Sequence, residues 1–387
     1  MAQPKNFGFG EDEAMLRDAA RKFLTDNASA DKIHALVAHD YDVNREPVAN
    51  WDKALWQQIV ELGWPAVCVP EEAGGVGMPL VAAVALAEEI GRAAFPSPLI
   101  STFIATFLLR ACGTDEARKA LGEIAGGRAA TIAMMNESGS LDPDDTSVSV
   151  SGGALTGTAS FVQDAQKAEM FVVAARGDAG VGIYVIHADA AGVKVVPDHI
   201  IDLTRDQAHV EFNGAAAQEV VSQGSARAAF DQALPSILCV VSADMVGAGE
   251  WLLQTTTEYA KTRVQFDRPL GFFQAVKHPL VNVMLDVDRA KSLTYNAACA
   301  VDEEPELAMQ YARMAKSAAS DMAVFSSSRA VQFHGGIGFT WECFVHVFFK
   351  RQMHNQVLFG DGAYQRARLA ERLIDEGVQP GEAEGWG

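Results

Sequence analysis

From residue 11 to about residue 118 apolar side chains recur at intervals of three and four, as in Trp51, Leu55, Ile59 and Leu62. That is the repeat of an amphipathic helix. Pro70 and the EEAGGVGMPL stretch interrupt it, and a further helix is expected over Leu80–Arg92, closed by Pro96 and Pro98. Between about residues 129 and 221 the pattern changes to short β-rich runs, TIAMM, SVSVSG, MFVVAAR, GIYVIHA, GVKVVP and AHVEFNG, parted by glycine, aspartate and asparagine turns. After Gly224 the long period returns, with breaks expected at Pro235, around Pro269 and Gly271, at Pro305 and over 335–338. Four helices are expected there, and antiparallel packing would make a bundle whose core has room for a large flat ligand. The expectation is an α+β multidomain chain: an N-terminal helical domain (1–125), a middle β barrel or sandwich (126–224) and a C-terminal four-helix bundle (225–387).

Composition narrows the function classes. The 387 residues exceed the roughly 100 to 200 of a single domain, and 49% apolar with 21% charged residues is a globular balance. A net charge of −19 without a lysine-arginine cluster argues against nucleic acid as a partner. Apolar stretches such as residues 80–87 fall short of the roughly 20 residues that cross a bilayer, so no membrane insertion is expected. The N-terminus lacks the basic-then-apolar pattern of a signal peptide, which makes a cytoplasmic location the expectation. The five cysteines are widely spaced among apolar residues and read as core side chains, not as disulfides or a metal site.

Two segments carry candidate chemistry. Residues 259–278, YAKTRVQFDRPLGFFQAVKH, end one helix, cross a Pro/Gly turn and start another. Arg263 at a helix C-terminus can make bidentate bonds to a pyrophosphate, Phe266 can lie against an adenine, and Gln274 can hydrogen-bond. A plain helix hairpin with solvated Lys261, Arg263 and Arg268 fits the same composition. Residues 331–341, VQFHGGIGFTW, run a polar helix end into three glycines, which permit close backbone approach or serve as a simple C-cap. A helix precedes these glycines, so they are not a Rossmann fingerprint. No HExxH set, nucleophile elbow or Walker loop is present, and Glu342 reads as a first-turn carboxylate.

Taken together, the two segments resemble the R-x-x-F…Q and Q-x-x-G-G elements of acyl-CoA dehydrogenases, and the order of helices, β domain and helices extends the resemblance over nearly the whole chain. The resemblance implies FAD as cofactor, with Arg263, Phe266, Gln274, Gln332, Gly335 and Gly336 holding the ADP half of a neighbouring subunit's flavin. It implies an oligomer, homotetramer or heterotetramer, with the flavin between β domain and bundle and the acyl-CoA beside it. The reaction implied is α,β-dehydrogenation of the thioester: a base removes the α-proton while the β-hydrogen leaves as hydride for the flavin, which electron-transfer flavoprotein reoxidises. Such a base needs a dry carboxylate.

Around the flavin the chain departs from the family pattern. The E-G-T/S element that carries the base is replaced by LFGDGAYQRARL, which puts Asp361 in its place; Asp361 also suits a turn or a helix N-cap. Ser236, Ile237 and Leu238 offer no carboxylate at the alternative position used by some members. ASFVQDA resembles the W-I-T element, with Phe161 for the tryptophan and Gln163 for the threonine, and MMNESGS makes Asn136 the candidate polar contact to the flavin ring. The stretch GFTWECFVHVFFKR resembles members associated with steroid or other bulky ring substrates, which often work as two unlike subunits. Three readings follow: a dehydrogenase of bulky acyl-CoA with Asp361 as base, a non-catalytic partner subunit, and an oxygen-using oxidase or monooxygenase of the same fold.

Overall fold

The computed structural model describes residues 6–38 and 47–375. Helices come first: α1 (Glu11–Asn27), α2 (Ala30–Val37), α3 (Lys53–Glu61), α4 (Leu80–Arg92), α5 (Leu99–Cys112) and α6 (Asp115–Ala125). Asp52 caps α3 by accepting from the Ala54 and Leu55 amides, and the α3 stripe turns Trp56 and Ile59 inward. Leu62, expected on that stripe, falls one residue past the helix and stays exposed. α4 and α5 are buried along nearly their whole length.

The middle of the chain forms β1 (Ala130–Ala133), β2 (Val148–Ser151), β3 (Ala154–Gln163), β4 (Met170–Gly177), β5 (Gly180–His187), β6 (Val193–Pro197), β7 (Gln207–Ala216) and β8 (Gln218–Val221). They make one sheet in the order β6-β7-β3-β2-β4-β5-β8, with β1 parallel to β4. Along β4 the side chains alternate between two cores: Phe171, Val173 and Ala175 face the β domain's own interior, while Val172 and Ala174 join the helical core. A strand buried on both faces reads as the unbroken apolar run MFVVAA. β3 and β8 are strands that the periodicity did not single out; β3 is rich in Ala, Thr, Gly and Ser, and only its burial in the pleat reveals it.

Four long helices then build the bundle, α7 (Ala226–Thr262), α8 (Gln274–Glu303), α9 (Pro305–His334) and α10 (Val345–Val357), followed by the short α11 (Gly362–Ala370). The hairpin between α7 and α8 holds the two-residue strands β9 (Val264–Gln265) and β10 (Arg268–Pro269). Pro235, expected as a break, lies inside α7. A proline there costs about 3 kcal/mol, and α7 offsets it by burying 23 of its residues, from Ala226 to Ala260. By length and composition α7 could cross a membrane, but 83% of its apolar window is buried inside the protein. α4 crosses α7 at the closest approach the chemistry permits, since a Cβ on Gly247 would stand 1.8 Å from the Glu88 carbonyl oxygen, and one on Gly91 2.0 Å from that of Asp244. All five cysteines are free, and no group of three or more His, Cys, Asp or Glu side chains among the described residues could hold a metal.

Candidate functional site

Between the β domain and the bundle lies a cleft of about 1220 Å³. An ordinary ligand site is on the order of 300–1,000 Å³, so this one has room for two ligand moieties side by side. The β domain contributes Met135, Phe161, Gln163 and Gln207, the bundle Phe230, Leu234, Met309 and Arg313, and the turn before α11 contributes Phe359, Gly360 and Asp361.

Phe161 is not a core aromatic. It stands at a register shift of β3 against β7, between Ala159 and Val162, with φ +55° and 40% of its surface exposed to the cleft. An aromatic held in left-handed backbone at a bulge carries strain of order 1–3 kcal/mol, which persists where the surrounding structure imposes it. Gln163 closes the same bulge: its amide nitrogen donates to the Phe161 carbonyl at 3.1 Å and to Gln207 Oε1 at 2.8 Å. Its Oε1 lies 2.6 Å from His354 Nε2 on α10. Asn136 is engaged within its own loop. Its oxygen accepts from the Ser138 amide, the Ser138 hydroxyl and the Ser140 amide, and its nitrogen donates to the Asp145 carbonyl. The side chain is spent on folding its own loop, and that loop presents Gly139, Ser140 and Leu141 to the cleft.

Asp361 lines the cleft and is also the N-cap of α11, with Oδ1 accepting from the Tyr364 amide at 2.8 Å. The N-cap reading of this residue holds, and its carboxylate is exposed where it lines the cleft. The dryness a base needs therefore has to come from ligands filling the cleft. Beneath the turn the fully buried Lys316 donates to Ser320 Oγ and to the Gln356 and Gly360 carbonyls, each at 2.9 Å. Burial pushes its ammonium down to about 7, against the opposing pull of Asp361.

Behind the cleft sits an ionic cluster that sequence reasoning missed. Asp244 on α7 accepts from Arg351 at 2.9 and 2.5 Å, from Arg205 at 2.8 Å and from Asn355 at 2.7 Å. Burial alone would push the Asp244 carboxyl up, but the two guanidinium groups hold it below the usual carboxylate range. Arg205 leads on to Asp164, which pairs with Lys167 and accepts from the Ser101 hydroxyl of α5. The cluster thus ties the N-terminal helices, the β domain and the bundle together. A signal was available: an aspartate inside the apolar run SILCVVSADMVGAG must find partners if it is buried.

The six motif residues lie away from the cleft. Arg263 follows the end of α7, Phe266 tips the β9–β10 hairpin, Gln274 opens α8, and Gln332, Gly335 and Gly336 end α9. The two motifs are neighbours, since the Tyr259 and His334 rings stack at 4.3 Å. All six are exposed, and Arg263 makes no ion pair among the described residues. Phe266 is 86% exposed at φ +53°, touched by the Phe273 ring only edge-on at 6.2 Å. Gly335 has φ +65°, and a Cβ there or on Gly336 would meet nothing within 4 Å. A bare cation, a bare aromatic ring and open glycine backbone fit a nucleotide approaching from outside this chain.

Comparison with known proteins places this geometry. The acyl-CoA dehydrogenase N-terminal domain family matches residues 10–128 and the acyl-CoA dehydrogenase C-terminal domain family matches residues 239–374. The acyl-CoA dehydrogenase IpdE2 of Mycobacterium tuberculosis is 29% identical over 88% of this chain and 91% of its own, and FadE27 of the same organism is 29% identical over 84% and 89%. Among solved structures, the Tcur3481-Tcur3483 steroid ACAD superposes with a TM-score of 0.83 at 27% identity, covering 95% of this chain and 99% of that one. The ChsE4-ChsE5 complex of Mycobacterium tuberculosis follows at 0.82 and 25%, covering 95% and 98%. The chain belongs to the acyl-CoA dehydrogenase family, whose cofactor is FAD.

Proposed function

We propose that the chain dehydrogenates a bulky acyl-CoA thioester at the α and β carbons, with flavin and acyl group side by side in the cleft. The observation that carries this reading is the cleft of about 1220 Å³ walled by Phe161 and Gln163 on one side and the Asp361 turn on the other. FAD, when bound, supplies the hydride acceptor. Phe161 offers an apolar wall to a flat ring, and Asp361 takes the α-proton on the oxygen its cap bond leaves free. Arg263, Phe266, Gln274, Gln332, Gly335 and Gly336 grip the ADP half of the flavin of a neighbouring subunit. Exposed apolar side chains on the hairpin and α8, among them Val264, Phe272, Val281 and Leu285, support an assembly that covers this end, which we read as a tetramer. Electron-transfer flavoprotein is the proposed acceptor of the electrons.

The test is anaerobic bleaching of the flavin band in the purified protein by a steroid side-chain CoA thioester, with butyryl-CoA for comparison. Bleaching by the bulky thioester and its loss in Asp361→Asn are expected; unchanged bleaching in the variant sinks Asp361 as the base. The exposure of Asp361 favours one further reading, that this chain completes the site of an unlike subunit. A protein that stays colourless alone and takes up FAD only when mixed with a second dehydrogenase chain would establish that reading instead.

A further inference from the structure

The hydrogen bonds behind Phe161 form a chain with a direction. It ends at Asp198, whose carboxylate has only acceptors: Gln207 Nε2 donates to it at 3.0 Å, and His209 Nδ1 lies 3.1 Å from its other oxygen. Because Gln207 must present its nitrogen to Asp198, its oxygen faces Gln163, and the Gln163 nitrogen is the donor at 2.8 Å. The Gln163 oxygen then faces His354, which fixes the histidine as the Nε2–H tautomer, donating at 2.6 Å. Two amide orientations and a ring tautomer that are ordinarily assigned one by one are here set by groups that can only accept, the Asp198 carboxylate at the end of the chain and the Phe161 carbonyl beside Gln163. Burial pushes the His354 imidazole down to about 4, with Arg205 and Arg351 lowering it and Asp202 and Asp164 raising it, so the ring is neutral and its one N–H is the one facing Gln163.

This leaves Gln163 little freedom. Both of its N–H groups are spent, on Phe161 and Gln207, and one oxygen lone pair is taken by His354. We propose that His354 is a positioning residue for the flavin side of the cleft: through Gln163 it holds the Phe161 bulge and makes Gln163 face the cleft only as a hydrogen-bond acceptor. The inference rests on the cleft being the flavin site. Nothing in the sequence joins His354 to Gln163, which are 191 residues apart.

The full-length protein tests it by FAD titration, followed as quenching of flavin fluorescence, and by the absorption band of the bound flavin. His354→Ala is expected to weaken FAD roughly tenfold, which corresponds to about 1.4 kcal/mol, and to shift the band. His354→Gln, which keeps a donor, is expected to restore both. Asp198→Ala, at the half-exposed end of the chain, removes the acceptor that orients Gln207 and is expected to shift the band without lowering the thermal midpoint; it decides the matter if His354→Ala does not fold. Wild-type affinity and band shape in both His354→Ala and Asp198→Ala overturn the proposal. A wild-type protein that binds no FAD would sink the flavin site itself, and the chain's direction is then read without FAD: nitrogen NMR of the His354 ring should show Nε2–H, and Nδ1–H overturns it.

Discussion

Asp244 and Arg263 belong to one helix and its cap, about 28 Å apart at 1.5 Å per residue, yet they live by opposite rules. Asp244 is fully buried and held by two arginines and an asparagine from distant parts of the chain. Arg263 stands exposed with no ion pair among the described residues, beside a bare Phe266. The first residue has been taken out of water and must be matched by its own chain; the second remains solvated and available to something else. Stability is concentrated at the first position, and the proposed function puts cofactor affinity at the second, so substitutions there should give opposite readouts.

The largest expected effect is at the buried position. Asp244→Ala leaves Arg351 and Arg205 desolvated without their carboxylate, which costs about 3–5 kcal/mol. The thermal midpoint should fall on the order of 10 °C, measured on the FAD-free protein. A fall below about 2 °C would show that the cluster rearranges freely and that the contrast is only apparent.

Arg263→Ala should do the reverse. Charge-assisted bonds to a phosphate contribute roughly 1.5–3 kcal/mol, so FAD affinity should drop about 10- to 100-fold. The thermal midpoint of the FAD-free protein should stay within about 1 °C, as for surface substitutions generally. A midpoint that falls as far as that of Asp244→Ala would break the comparison from the other side.

The same contrast explains what the sequence made legible. Exposed motif residues keep their signature in local order, because Arg263, Phe266 and Gln274 need only the hairpin that carries them. The helix over Leu80–Arg92 was legible for a similar reason, since its apolar repeat and the prolines beyond it act locally. The cleft was not. Asp244 meets Arg351 across 107 residues and Gln163 meets His354 across 191, and no periodicity encodes such pairings. Pro235 was misjudged for the same reason, since the long α7 face supplies enough burial to carry a proline.

The smallest expected effect concerns the floor of the cleft. Lys316 has a folded-state value of about 7 against an ordinary 10.5. Between those values the unfolded chain holds a proton that the folded chain has released, so stability rises with pH across that window and the ammonium is a liability below it. The step from pH 8 to pH 9 should add about 1 kcal/mol from this group. Lys316→Met removes the group, so subtracting the variant's urea stability from that of the wild type at pH 7, 8 and 9 isolates its share from the cysteines and tyrosines common to both. The difference should climb in favour of the wild type as pH rises; a flat difference would mean that the ammonium stays charged beneath the Asp361 turn, and that the three acceptors at 2.9 Å compensate its burial in full.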